Sequence, residues 1–502
     1  MKKDIKNLIV LPLAVLLFGS CSTDFVETPP TGLDVVENYY RNQSEAFNGL
    51  VSVYDLMRKN SGGFENMITM FNAGSDDQFA GGGNSSDGAG IQSFSNYTIN
   101  PNTIPRSYFK DYYRGIYRAN LLLVKIPTTV MDENLKTRYI AEARVLRAYY
   151  YFQLVTMFKN IPLILEPLSA DRFYNVTQAD PAEVYAQIEL DLTESIANLP
   201  MTVNVATDGG RLTQGSARAI LGKVYLYQNK NTQAATELAQ VNGTPGGVSQ
   251  YGYSLLNNFN DLWSFSNKFN SESVLEVAHS AQGSSWGNWG GNSDEGNTVN
   301  QMVGPRSYLK LGAGAPDLPS GWSFNVFTED FHTFIQGDPR AAATLLDVKA
   351  LKTAGQADYI GAYQDTGYFL NKFMPKMSDV YSGPGDAVLN YRQNTYAIRL
   401  ADTYLLEAEA LGGTGTRAQA LLDAVRSRVG LPSVAVSLAT IKDERRRELA
   451  GEGFRWFDLV RWGDAPTKLG GRGFVAGKNE ILPIPAFDLQ GTQLVQNPGY
   501  PN

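Results

Sequence analysis

The sequence predicts a mainly α fold. Tetratricopeptide-like helix pairs would form a superhelical scaffold, with an irregular, loop-rich (mixed α/β) ligand-binding subdomain set into it. Three observations lead there. Apolar residues recur with a 3.6-residue period in several separated segments. Two of these segments carry the small–aromatic spacing of a helix pair, Leu221-Gly222-Lys223-Val224-Tyr225 and Leu400-Ala401-Asp402-Thr403-Tyr404. Residues 241–391, in contrast, sustain no helical period and are dense in Gly, Asn, Ser and Trp. Loops of that length in a compact protein are usually functional.

The elements follow in chain order. Lys2, Lys3 and Lys6 precede an uncharged apolar run, Leu8 to Phe18, then Gly19, Ser20 and Cys21. The run is too short to span a bilayer and suits a signal segment. Small residues leading into a lone cysteine predict a lipoprotein signal over 1–20, with acyl chains such as palmitate on Cys21. Residues 21–33, with Thr28-Pro29-Pro30, read as an extended tether. A helical region follows over 34–240. Val35 to Arg58 places Tyr39, Tyr40, Phe47, Leu50, Val51, Tyr54 and Met57 on one stripe. Tyr112 to Val124 and Leu135 to Phe158 are further helices. Asp180, Pro181 and Glu183 predict a capped helix start with a capping box. Ser216 to Gln240 predicts two helices broken at Asn229-Lys230-Asn231, where Gly222 admits the partner helix. A Gly-rich stretch at 72–102 interrupts this region. Val274-Leu275-Glu276-Val277 is a candidate strand within the loop-rich region 241–391. The helical region 392–502 contains a pair from Tyr396 turning at Gly412-Gly413, then a charge-balanced helix from Ile441 to Trp462. Asp443, Glu444 and Arg447 offer ion pairs one turn apart there. That run reads as a salt-bridged face rather than a phosphate site.

Composition removes several functions. The 502 residues carry 43 basic and 50 acidic side chains, a net charge of −7, so no electrostatic footprint for nucleic acid exists. One cysteine and two histidines, His279 and His332, exclude a multi-Cys or multi-His zinc site and a disulfide framework. Aromatic side chains, led by 27 tyrosines, supply what a surface for flat, hydroxylated ligands needs.

Several stretches together resemble the SusD/RagB family of nutrient-uptake lipoproteins. The strongest is DERRRELAGEGFRWFDLVRWG, residues 443–463. Others are EARVLRAYYYFQLVTMFKNIPLI (142–164), residues 211–227, IRLADTYLLEAEA (398–410), Asp338-Pro339-Arg340, Leu482-Pro483-Ile484-Pro485 and Gln496-Asn497-Pro498-Gly499-Tyr500. The resemblance implies a lipid-anchored protein at the outer-membrane surface, docked on a SusC-like TonB-dependent transporter. It implies capture of an oligosaccharide without chemistry on it and without a cofactor. Family members often carry an acidic pair in the first glycine-rich loop, so Asp76 and Asp77 are carried over as ligand-site candidates.

The residues themselves add further candidates. A sugar ring offers an apolar C–H face for stacking and hydroxyls for polar side chains. Trp286 and Trp289 lie three residues apart in a Gly/Ser/Asn setting, and Trp322 and Tyr308 are weaker versions of that case. Arg306 and Asn292 offer hydroxyl contacts. Trp456 and Trp462 read as core, and Phe109 as a pocket wall or a repacked core position. Asn292 to Gly296 lacks the full spacing of a calcium loop. Two other functions compete. A hydrolase would need carboxylates about 5.5 Å or about 6.5–9.5 Å apart, for which Asp76 and Asp77 facing Asp294 and Glu295 are the candidates. A helical scaffold would bind only protein or peptide.

Overall fold

A computed structural model describes residues 39–501 apart from 284–285 and 287–294. The Cys21 signal, the tether, Trp289, Asn292 and Asp294 lie outside the described residues. Among the described residues no helix is long and apolar enough to cross a membrane.

The architecture is the predicted one, helix pairs carrying an irregular inserted region. The helices that build the frame are α1 (Gln43–Tyr54), α2 (Met67–Ala73), α3 (Ser107–Lys125), α4 (Glu133–Phe158), α5 (Pro181–Ile196), α6 (Gln214–Tyr227) and α7 (Asn231–Asn242). After the loop-rich region come α8 (Leu400–Ala410), α9 (Gly415–Ser427), α10 (Leu438–Glu448) and α11 (Arg455–Arg461). Packing runs α1 on α3, α3 on α4, α4 on α5, α5 on α6 and α6 on α7. It then jumps in sequence, because α7 packs on α8, which packs on α9 and α10. The scaffold is thus assembled from two distant pieces. At the α6–α7 crossing, a Cβ on Gly222 would stand 2.6 Å from Leu238 Cγ, so only glycine allows that approach.

Local chemistry moves some predicted boundaries. Helix α1 begins at Gln43, not Val35: Tyr40 is left-handed (φ 67) and the Asn42 side chain caps the Glu45 amide. The helix then buries Ala46, Gly49, Leu50 and Val53, which leaves Phe47 and Val51 of the predicted stripe exposed. Asp180 does cap α5, through the Ala182 amide at 2.8 Å, but no return bond from Glu183 completes a box. The single helix expected over 441–462 is two, because Gly451 and Gly453 take left-handed conformations (φ 77 and 85) between α10 and α11. Trp456 is core, whereas Trp462 is half-buried and donates to Glu409 at 2.9 Å. Phe109 is buried edge-on against Phe158, a core position and not a pocket wall.

The region between α7 and α8 holds three two-stranded antiparallel sheets: β1 (Ser273–Val277) with β6 (Thr395–Arg399), β2 (Arg306–Lys310) with β4 (Ala357–Ile360), and β3 (Leu345–Asp347) with β5 (Tyr368–Leu370). Isolated two-stranded sheets are marginal in water, so something must fix them. A buried ion network adjoins two of them, β1–β6 and β3–β5. Arg399 on β6 donates to Glu448 at 2.5 Å and to Glu452 at 2.9 Å, and lies 3.1 Å from Glu272. Arg340 reaches Glu444 (2.6 Å), Glu448 (2.7 Å) and Asp338 (2.8 Å), and Lys372 reaches Glu452 (2.7 Å). The charge-balanced run therefore pairs between elements. The one-turn pairs expected for Glu444 and Arg447 are replaced by Glu444 with Arg340 and Arg426, and by Arg447 with Asp338.

Candidate functional site

The first glycine-rich loop leaves α2 at Gly74 and runs antiparallel to residues 323–328. Phe79 N donates to Val326 O, Asn325 N to Ala80 O and Gly82 N to Ser323 O, each at 2.9 Å, and Thr328 N donates to Asp77 O at 2.8 Å. Tyr363 N joins from a third segment, donating to Gly82 O at 2.9 Å. Gly81 is indispensable to the ladder, since a Cβ there would fall 2.2 Å from Ser323 O. The pairing brings the Asp76-Asp77 loop and the Trp322 loop together.

The two carboxylates point into the frame. Asp76 takes both ends of the Arg455 guanidinium at 2.8 Å, and Asp77 accepts from Arg446 Nε at 2.7 Å. Arg472 completes the hold. It donates to the carbonyls of Ser75, Gln78 and Ala73 and to Ser95 Oγ. Burial pushes the Asp77 carboxyl up to about 6, with the Asp76 charge adding to the rise and the arginines opposing it. For Asp76 burial acts upward too, but the Arg455 hydrogen bonds and charge outweigh it and hold the group below its ordinary value. Removing one partner of a buried pair costs about 3–5 kcal/mol. Asp76 and Asp77 therefore clasp the loop from beneath, where the family analogy put them against the ligand.

The exposed side of the same loops carries rings. Trp322 is half-buried and leans on Phe64 (centroids 6.1 Å apart, planes 46° apart), and Phe64 meets Phe324 edge-on at 5.3 Å. The Trp322 amide donates to Gln301 O at 3.0 Å, and its carbonyl accepts from Arg306 Nε at 3.0 Å. Arg306 also pairs with Asp87 at 2.7 Å, so it is a fixed member of the surface rather than a loose solvated chain. Tyr363 is exposed, and Trp286 is 76% exposed. Tyr308, expected at the ligand, is buried instead, its hydroxyl donating to Pro316 O at 2.8 Å beside Ala315 and Leu318.

Backbone strain marks the same places. Ser307 after Arg306, Ser323 after Trp322 and Gln364 after Tyr363 are left-handed, with φ of 47, 61 and 56. Non-glycine residues take that region rarely, at a cost of about 1–3 kcal/mol each, and they cluster at ligand sites. Gly283, ahead of Trp286, shares a support with the Trp322 loop. Gly283 exchanges two hydrogen bonds with Asn390 (2.9 and 3.0 Å), and the adjacent Tyr391 donates to Gln301 Oε1 at 3.3 Å. Gln301 Nε2 in turn holds Ser320 O at 3.1 Å.

Sequence reasoning missed Phe64, Asp87 and Tyr363. A signal existed for two of them. Gly63-Phe64 repeats the glycine-then-aromatic pattern of Gly321-Trp322, and Tyr363 follows Gly361 with one small residue, Ala362, between. The arginine clasp gave no local signal, because Arg446 and Asp77 are 369 positions apart.

Exposed indole and phenol faces beside a fixed guanidinium–carboxylate pair suit ligands with apolar faces and hydroxyl edges. Comparison with known proteins agrees. A family model described as the SusD family matches residues 341–480, and one described as starch-binding associating with the outer membrane matches residues 43–226. A solved laminarin-binding SusD-like protein is 63% identical, covering 92% of this chain and 100% of that one, with a TM-score of 0.91. Surface glycan-binding protein A from Bacteroides fluxus is 26% identical over 91% of this chain and 100% of its own, with a TM-score of 0.80. A SusD-like protein of Formosa agariphila is 27% identical over 539 aligned positions, 97% of each chain. On this similarity across both helical regions and the insert between them, the chain belongs to the SusD family.

Proposed function

We propose that this chain is a surface glycan-binding lipoprotein that captures an oligosaccharide and passes it, unhydrolysed, to a SusC-like TonB-dependent transporter in the outer membrane. The observation that carries the binding half is the pair of tryptophans that reach the surface, Trp286 exposed and Trp322 half-buried beside Arg306 and Phe64. The laminarin-binding relative supplies the ligand class to try first, a β-glucan such as laminarin. The carboxylates that a hydrolase would use, Asp76 and Asp77, are committed to Arg455 and Arg446, which favours binding over turnover. Attachment through acylated Cys21 and docking on the transporter rest on the family reading and on the Gly19-Ser20-Cys21 pattern.

Calorimetric titration of the purified chain with laminarihexaose tests the binding half, and chromatography of the recovered sugar tests for turnover. Saturable binding with intact hexaose is expected; shortened products would overturn the non-catalytic reading. For the anchor, Cys21→Ala should move the protein from the membrane to the soluble fraction.

A further inference from the structure

Against Phe64, whose ring leans on Trp322, lies a hollow of about 310 Å³. Its walls are the turn of 3₁₀ helix Asp55–Asn60, residues 62–65 and the first half of α3. That volume is at the small end of ligand pockets, roughly 300–1,000 Å³, enough for a sugar-sized group and not for a chain. Phe64 is common to the hollow and to the aromatic surface.

The lining is polar and mixed in sign. The Asp111 carboxylate stands 3.4 Å from Arg114 Nη2 and 3.8 Å from the Lys59 ammonium, so it faces two cations across the hollow. Glu65 accepts from Ser107 Oγ at 2.5 Å, and the buried Lys59 ammonium donates to Ser107 Oγ at 2.6 Å and to the Glu65 carbonyl. Acceptor and donor side by side are what adjacent sugar hydroxyls need, since each hydroxyl both donates and accepts. The Phe64 plane is inclined by 46° to the indole of Trp322. A chain stacked on the indole continues along its own line, so a unit seated against Phe64 has turned off that line.

We propose that this hollow is a side-residue subsite: it takes a single sugar unit branching from a glycan whose main chain lies on Trp322. The inference rests on the glycan-binding reading above. Asp111 accepts from the branch hydroxyls, Arg114 donates to them, and Phe64 covers the apolar face of the ring. The site thereby selects branched over linear glycans.

The test compares laminarihexaose with the same hexaose carrying one glucosyl side residue. Charge-assisted hydrogen bonds of this kind predict that the branched sugar binds about tenfold more tightly. Arg114→Gln and Asp111→Asn, each checked for an unchanged melting temperature, should abolish that preference and leave the linear hexaose within about twofold of its original affinity. Equal affinities for the two sugars in the unaltered chain would overturn the subsite alone. So would a loss in Arg114→Gln that is the same for both sugars. If neither sugar binds, the glycan-binding reading fails and the subsite with it.

Discussion

Charge is buried in the frame, and aromatic surface is exposed on the loops it carries. Arg340, Arg399 and Glu448 are fully excluded from water and satisfied by one another, whereas Trp286 is three-quarters exposed and Trp322 half-buried. A buried ion network holds its members to one geometry, because any partner that moves leaves a charge uncompensated in a low dielectric. An exposed ring such as that of Trp286 carries no such penalty. The contrast teaches how an irregular loop can position a binding surface: rigidity is borrowed from the frame through Arg446, Arg455 and Arg472. Stability and affinity should therefore be separable by position.

Substitution in the network should have the largest effect. Glu448→Gln loosens Arg340, Arg399 and Arg428 together, and should lower unfolding free energy by about 3–5 kcal/mol, read by denaturant titration. Asp76→Asn should come next. It weakens the doubly bonded Arg455 pair, costs about 1–3 kcal/mol of stability, and should weaken glycan binding only through the loop it holds. An Asp76→Asn protein of unchanged stability but lost affinity would instead put that carboxylate on the ligand.

Acid should act on the frame with a definite sign. Burial opposes ionisation of Asp458, but Arg445 and Arg461 outweigh it and hold the carboxyl at about 2, against 3.8 for an ordinary aspartate. A depressed carboxyl stabilises the fold above its unfolded value, and that stability is lost as pH falls through the folded one. The loss should amount to about 2 kcal/mol between pH 4 and pH 2. Two further groups oppose each other at milder pH. His279, pulled down to about 4 by burial, loses stability as pH falls from 6.5 to 4. Asp77, raised to about 6, gains stability as pH falls from 6 towards its ordinary value of 3.8. Melting temperature should thus change little from pH 7 to about pH 5 and fall below it. There Glu448, its ionisation opposed by burial but held well below 4.5 by Arg428, Arg399 and Arg340, begins to lose its share as well. Least costly to the fold is Trp286→Ala, expected within about 0.5 kcal/mol of the original stability while glycan affinity drops several-fold.

The frame was legible in the sequence because helix periodicity, the Gly222 approach and the Asn229–Asn231 break are local signals. The same local reading ran α10 and α11 together, since it did not weigh the φ that Gly451 and Gly453 adopt. At the site, Trp286 and Trp322 stood out through their glycine-rich surroundings. Tyr308 shared that setting yet is buried against Pro316, a contact that depends on how the β2–β4 hairpin folds back. Asp76 and Asp77 were singled out by analogy, and their partners lie in α10 and α11 at the other end of the chain, where no spacing rule reaches.

The most direct test of the aromatic grip is calorimetric titration of the Trp286→Ala, Trp322→Ala double variant with laminarihexaose, alongside its thermal unfolding. The account predicts that affinity falls at least about a hundredfold, roughly 2.7 kcal/mol, with a melting temperature close to that of the unaltered chain. Retained affinity in a folded double variant would contradict it.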